Sequence, residues 1–119
     1  MPSVAVIGAS NAPHKFGNKA VRAYRRQGWT VYPVNPNEKT VEGLPVYAKI
    51  GDVPGPVDRV SMYVPPSVGI TLLDAIKAKG AGELFLNPGS ESDALVARAT
   101  ELGLDPIQAC SIIDIGERP

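Results

Sequence analysis

The chain has 119 residues, 44% of them apolar and 20% charged, which is the composition of one globular domain rather than of a disordered or membrane-embedded chain. Twelve basic residues balance twelve acidic ones, so the visible basicity of a general nucleic-acid binder is missing. No apolar run approaches the roughly 20 residues that span a bilayer, and the single cysteine, Cys110, excludes an internal disulfide and a cysteine-based zinc cage.

Ser3 to Ile7 reads as a buried strand with no cationic leader before it, so a cytoplasmic protein is expected. Gly8 breaks the strand, and the loop Ala9-Ser-Asn-Ala-Pro-His-Lys15 leads into a helical pattern with Phe16, Ala20, Val21 and Tyr24 on its apolar face. A strand, a glycine turn and a helix N-terminus converge backbone N–H groups and a helix dipole on one point, the usual seat of a phosphate. Ser10 occupies the place of the second glycine in G-x-G-x-x-G. Arg22, Arg25 and Arg26 share one helical face and read as a solvated stripe.

The helix ends near Gly28, and Trp29 to Val34 forms a second strand stopped by Asn35-Pro-Asn37. A site for unmodified NAD usually carries Asp or Glu at this point to accept from the ribose hydroxyls. Asn35 stands there instead, and Lys39 follows, which suits a phosphorylated ribose or a plain polar turn. Leu44 to Tyr47 is a short third strand, and Gly51 to Pro56 is a loop with room for one helical turn. Asp58 to Val64 is a fourth strand ended by Pro65-Pro66, with Ser67 as the expected cap of a helix whose core stripe is Ile70, Leu73 and Ile76. Glu83 to Leu86 is a fifth strand. Asn87-Pro-Gly89 follows, then the capping-box pattern Ser90-Glu-Ser-Asp93 and a helix with Leu95, Val96, Ala99 and Leu102 inward. Leu104 to Ala109 returns as a last strand, and the remaining residues read as a tail.

Repeated strand–helix–strand units predict one α/β domain over residues 1–119. Its expected form is a Rossmann-like, doubly wound, mostly parallel sheet of five or six strands with helices on both faces. Ligands bind such sheets at the carboxyl ends of the strands, where strand order reverses. Four polar or glycine-bearing loops gather at that edge, and they supply the candidate ligand contacts. The first holds Gly8, Ala9, Ser10, Asn11, Lys15, Phe16 and Gly17, and the second holds Asn35, Pro36 and Lys39. The third contributes Tyr63, Val64, Pro65 and Pro66, and the fourth Asn87 and Gly89. His14 has no acid or nucleophile at fixed spacing, Cys110 reads as a small buried residue, and no G-x-S-x-G, H-E-x-x-H or Walker A pattern occurs. No catalytic or metal-binding residue is assigned.

Val6-Ile-Gly-Ala-Ser10, Gly17, Val31-Tyr-Pro-Val-Asn-Pro36, Gly43-Leu-Pro-Val46, Met62-Tyr-Val-Pro-Pro66 and Asn87-Pro-Gly89 occur in that order. With these motifs the chain resembles the small stand-alone CoA-binding proteins and, through them, the CoA-binding domain of the succinyl-CoA synthetase alpha subunit. The resemblance implies coenzyme A as ligand, with the diphosphate on Gly8, Ser10 and the turn to Gly17. It implies the adenosine 3′-phosphate near Asn35, Pro36 and Lys39, and Tyr63, Pro65 and Pro66 beside the nucleotide and the start of the pantetheine arm. The synthetase's phosphorylated histidine lies in a second domain to which His14 does not correspond, and Gln108-Ala109 precede Cys110 where relatives often carry a charge. The expectation is a CoA- or acyl-CoA-binding protein without catalytic machinery of its own and without nucleic-acid or membrane partners. An NAD(P)-binding redox or regulatory module is the alternative. Homo-oligomer and accessory subunit of a separate catalytic chain both remain open.

Overall fold

The computed structural model describes residues 1–119. Strands β1 (Ser3–Ile7), β2 (Thr30–Val34), β5 (Arg59–Met62), β6 (Glu83–Leu86) and β7 (Pro106–Gln108) form one sheet in the order β2-β1-β5-β6-β7. Every pair in it is parallel. Between β2 and β5 the chain instead makes a separate antiparallel hairpin of β3 (Thr40–Val41) and β4 (Leu44–Pro45). The stretch expected as a third strand therefore stops short, and only Tyr47 bridges back to Val34.

Residue alternation builds both faces. Val4 and Val6 pack on one side with Ala20, Val21 and Tyr24 of helix α1 (Phe16–Arg26) and with Ile112 of α5 (Ser111–Asp114). Ala5 and Ile7 pack on the other side, as a side-chain period of two requires. Their partners are Leu73 and Ile76 of α3 (Leu73–Lys79) and Leu95 and Ala99 of α4 (Asp93–Glu101). A short helix α2 (Pro66–Gly69) runs through a 3-10 turn into α3. The doubly wound Rossmann-like class is thus observed, with five strands in the main sheet.

Several local expectations are corrected. Phe16 is 52% exposed, because it opens α1 outside the buried stripe. Ser67 caps nothing, since Pro65 and Pro66 already start α2 with the fixed φ that suits a first turn. Ser92, not Ser90, caps α4 by accepting from the Leu95 N–H, while the Ser90 hydroxyl donates to the Val64 carbonyl. The last strand shrinks to Pro106–Gln108. The supposed tail carries α5, whose Ser111 and Ile112 are fully buried, and Cys110 before it is only half-buried. The arginine stripe is also more than solvated charge. Arg22 donates to Asn18 Oδ1 and to the Pro13 carbonyl, both at 2.8 Å, Arg25 donates to the Glu42 carbonyl at 2.7 Å, and Arg26 pairs with Glu117 at 2.8 Å.

Candidate functional site

The strand order reverses between β1 and β5, with β2 to one side and β6-β7 to the other. Such a switch point opens a crevice above the carboxyl ends of the two strands. The ladder runs on past the strands to hold the loop starts level. Gly8 N–H donates to Val34 O at 3.0 Å, Tyr63 N–H to Ile7 O at 2.8 Å, and Asn87 N–H to Met62 O at 3.4 Å.

Two glycines shape the first loop. Gly8 sits at φ 90°, and a Cβ there would lie 3.2 Å from the Tyr63 carbonyl carbon and from Val64 Cγ1. At Gly17 a Cβ would stand 2.1 Å from the Gly8 carbonyl oxygen. The first turn of α1 is therefore pressed directly onto the loop after β1. That turn has no side-chain cap and no acidic residue, so its orphan N–H groups and the positive end of the helix dipole are left for a ligand. Polar side chains set the loop itself. Ser10 Oγ accepts from Ala12 N–H at 3.0 Å, buried Asn18 donates to the Ser10 carbonyl at 2.9 Å, and Asn35 Nδ2 donates to the Ala9 carbonyl at 2.8 Å. Asn35 Oδ1 also accepts from Asn37 N–H at 2.8 Å, so the residue that replaces the NAD-type carboxylate ties two loops together.

These loops enclose two adjoining cavities. A polar one of about 680 Å³ is walled by Gly8, Ser10, Lys15, Phe16, Gly17, Asn35, Tyr63, Pro65 and Gly89 from the expected set, joined by His14, Asn37, Glu38, Pro88 and Ser90. A mostly apolar one of about 550 Å³ shares Gly8, Asn35 and Asn37 with it and adds Pro36 and Val64, then Ile7, Val34, Ala48, Lys49, Ile50, Val68, Leu72 and Ala75. Together they have the size of a cofactor site.

Five expected contacts line neither cavity. Ala9 is buried behind the loop. Asn11 is turned to the Thr40 carbonyl at 2.7 Å and to Glu38. Pro66 is spent in α2. Lys39 is exposed where the chain enters the β3–β4 hairpin, and its carbonyl accepts from Val46 N–H at 3.0 Å.

Asn87 is 1% exposed and fully engaged inside the protein. Its amide donates to Ser61 Oγ at 3.0 Å and Met62 O at 2.9 Å, and its carbonyl accepts from Ser111 N–H at 2.9 Å. Ser61 and Ser111 hydroxyls meet at 2.6 Å, and Ser111 Oγ lies 3.3 Å from Tyr63 Oη. Burial pushes the Tyr63 phenol up to about 12 against hydrogen bonds from Ser111 and Ser61 that lower it, so the hydroxyl beside Ser111 holds its proton, and Tyr63 is one of the residues lining the polar cavity. Sequence reasoning missed Ser61 and Ser111, since one reads as a strand interior and the other as tail. His14 and Asn37 were visible as loop residues but carried no spacing signal.

A family model described as a CoA binding domain matches residues 2–115. The chain belongs to the CoA-binding domain family. Among curated proteins it is similar to acetate–CoA ligase [ADP-forming] II subunit alpha of Pyrococcus furiosus, 36% identical over 88 residues that make up 72% of this chain and 19% of that protein. It is similar also to acetate–CoA ligase [ADP-forming] II of Archaeoglobus fulgidus, 36% identical over 73% of this chain and 13% of the ligase. The chain thus spans only a small part of the length of these curated relatives. Among solved structures, a conserved hypothetical protein from Pyrococcus furiosus superposes with TM-score 0.89 at 30% identity, covering 96% of this chain and 99% of that one. The dinucleotide-forming acetyl-coenzyme A synthetase 1 of Ca. Korarchaeum cryptofilum, solved with phosphate and ADP, superposes with TM-score 0.78 at 30% identity, over 90% of this chain and 25% of that one.

Proposed function

We propose that this CoA-binding-family domain binds coenzyme A at the β1/β5 switch point. The observation that carries the reading is the pair of joined cavities, one polar at an uncapped helix N-terminus and one apolar, sharing a rim at Gly8, Asn35 and Asn37. Coenzyme A has the matching two-part chemistry. Its diphosphate suits the Gly8–Gly17 loop and the first turn of α1. Its adenine suits the apolar cleft between Val34 and Ile50 on one side and Val68 and Leu72 on the other. The pantetheine arm then leaves along Tyr63 and Gly89, where the protonated phenol offers a donor to an amide or thioester carbonyl.

Calorimetric titration and thermal melting against coenzyme A, acetyl-CoA, NAD and NADP test this. Binding to the native state alone stabilises by about 2.7 kcal/mol when ligand is at 100 times Kd. Melting should therefore rise by several degrees with coenzyme A and acetyl-CoA. Stabilisation by NADP with none by coenzyme A at millimolar concentration would replace this reading with the dinucleotide one.

A further inference from the structure

We propose that Lys49, and not Lys39, reads the phosphate ester on the ribose of the bound nucleotide; this rests on the coenzyme A reading above. The apolar cavity has 13 lining residues, and Lys49 is the one charged side chain among them. An isolated cation on an apolar wall is either a stem lying across hydrophobic surface with its head in water or one half of an ion pair whose other half is the ligand.

The backbone fixes where that cation stands. Tyr47 N–H donates to Pro33 O and Asn35 N–H donates to Tyr47 O, each at 3.0 Å, so the segment runs as a short parallel extension beside the end of β2. Lys49 comes two residues later in extended conformation and starts the 3-10 turn Ile50–Asp52, whose Ile50 is buried in the core. This anchors the lysine backbone in the wall of the apolar cavity, beside the loop that begins at Asn35. Its ammonium makes no ion pair or side-chain hydrogen bond within the protein. The charge pairs of the protein use other residues: Arg26 with Glu117, Arg59 with Glu83 and Asp114, and Arg98 with Asp74 and Glu101. Lys39 is exposed and lines neither cavity.

The ligand's covalent order sets what meets Lys49. With adenine in the apolar cleft and the diphosphate at α1, the ribose would lie at the shared rim of Gly8, Asn35 and Asn37, bordering the cavity whose one charged lining residue is Lys49. A phosphate on that ribose would meet a compact point charge, which needs no fixed angle.

The experiment is a four-protein, two-ligand titration of wild type, Lys49→Met, Lys39→Met and the double variant with coenzyme A and 3′-dephospho-CoA at low salt. Met keeps the apolar stem, and both positions are exposed, so folding is preserved and is checked by the melting curve. Wild type should prefer coenzyme A by about fivefold, the effect of one partly exposed ion pair. Lys49→Met should abolish that preference while leaving 3′-dephospho-CoA affinity unchanged, and Lys39→Met should keep it. Raising salt should shrink the preference in wild type and in Lys39→Met alike. Binding of both ligands with no preference in wild type, or a preference that survives Lys49→Met, overturns the assignment and leaves the coenzyme A reading intact. Failure of both ligands to bind wild type at all overturns that reading, and the assignment with it.

Discussion

The carboxyl edge of the sheet and its amino edge are built on opposite plans. At the amino edge Arg59 is 7% exposed, sandwiched with its guanidinium 4.3 Å from the Phe85 ring centre and 5.0 Å from that of Trp29, and paired with Glu83 and Asp114 at 2.9 Å each. Burial lowers its pKa, but hydrogen bonds to Tyr24, Glu83 and Asp114 more than reverse this, so it stays charged. All three nitrogens of its guanidinium are paired within the protein, and the result is a clamp that holds α5 to the sheet. At the carboxyl edge the loops use side chains to position one another, while backbone N–H groups at the start of α1 stay open. Stability at one edge and vacant hydrogen-bonding capacity at the other come from the same parallel ladder, because only the carboxyl ends carry the switch point.

The sharpest way to break this contrast is Gly17→Ala. The added carbon would sit 2.1 Å from a backbone oxygen, which no rotamer can relieve. We expect a loss of about 3 kcal/mol, on the order of 10 °C in Tm, together with loss of coenzyme A binding. A folded variant that binds normally would mean the loop and α1 can separate without harm to the site.

The next pair should separate the two edges. Asn87→Ala leaves the Ser111 N–H without a partner inside the protein and the Met62 carbonyl with only the 3.4 Å bond from the residue 87 N–H, for a loss of about 2 kcal/mol. Arg59→Met removes the clamp for a similar loss of about 2 kcal/mol, tempered by the partial exposure of its two carboxylate partners. Chemical denaturation should thus rank them alike. Coenzyme A titration should not: Asn87→Ala should weaken binding several-fold, because Ser111 and Tyr63 lose their anchor, while Arg59→Met should leave it near wild type. Equal effects on binding would show that the edges are not independent.

How far the sequence carries this picture depends on the range of the interactions. The apolar run Val4 to Ile7, the glycine break at Gly8 and the stops at Asn35 and Pro65 are local, and they placed the four loops at one edge correctly. The long-range choices were not legible. Ser90 and Ser92 are chemically alike, and only the nearby Val64 carbonyl decides which of them is free to cap α4. The four residues of α5 are too few to signal a helix alone, and they are ordered by Ile112 in the core and by Asp114 on Arg59. In sequence Lys39 stands out because it follows Asn35-Pro36, and Lys49 carries no local signal. In the fold Lys39 lines neither cavity, whereas the bridge at Tyr47 sets Lys49 in the wall of the apolar one.

The smallest expected effect reports on Tyr63, where the two edges come closest through Ser111 and α5. An unfolded tyrosine ionises near 10, whereas the folded Tyr63 phenol holds its proton to about 12 because burial disfavours the phenolate. Between those values the unfolded chain has released a proton that the folded chain retains, so folding stability must fall as pH rises from about 10 to 12. Below about 10 both states are protonated and this group adds no slope. Other groups titrate in the same window, so the informative quantity is the difference between wild type and Tyr63→Phe. Urea midpoints at pH 9 and pH 11.5 should drop further in wild type than in the variant. A drop of the same size in both would mean that the phenol is solvated enough to ionise in place, and Tyr63 would then lose its role as a fixed donor at the carboxyl edge.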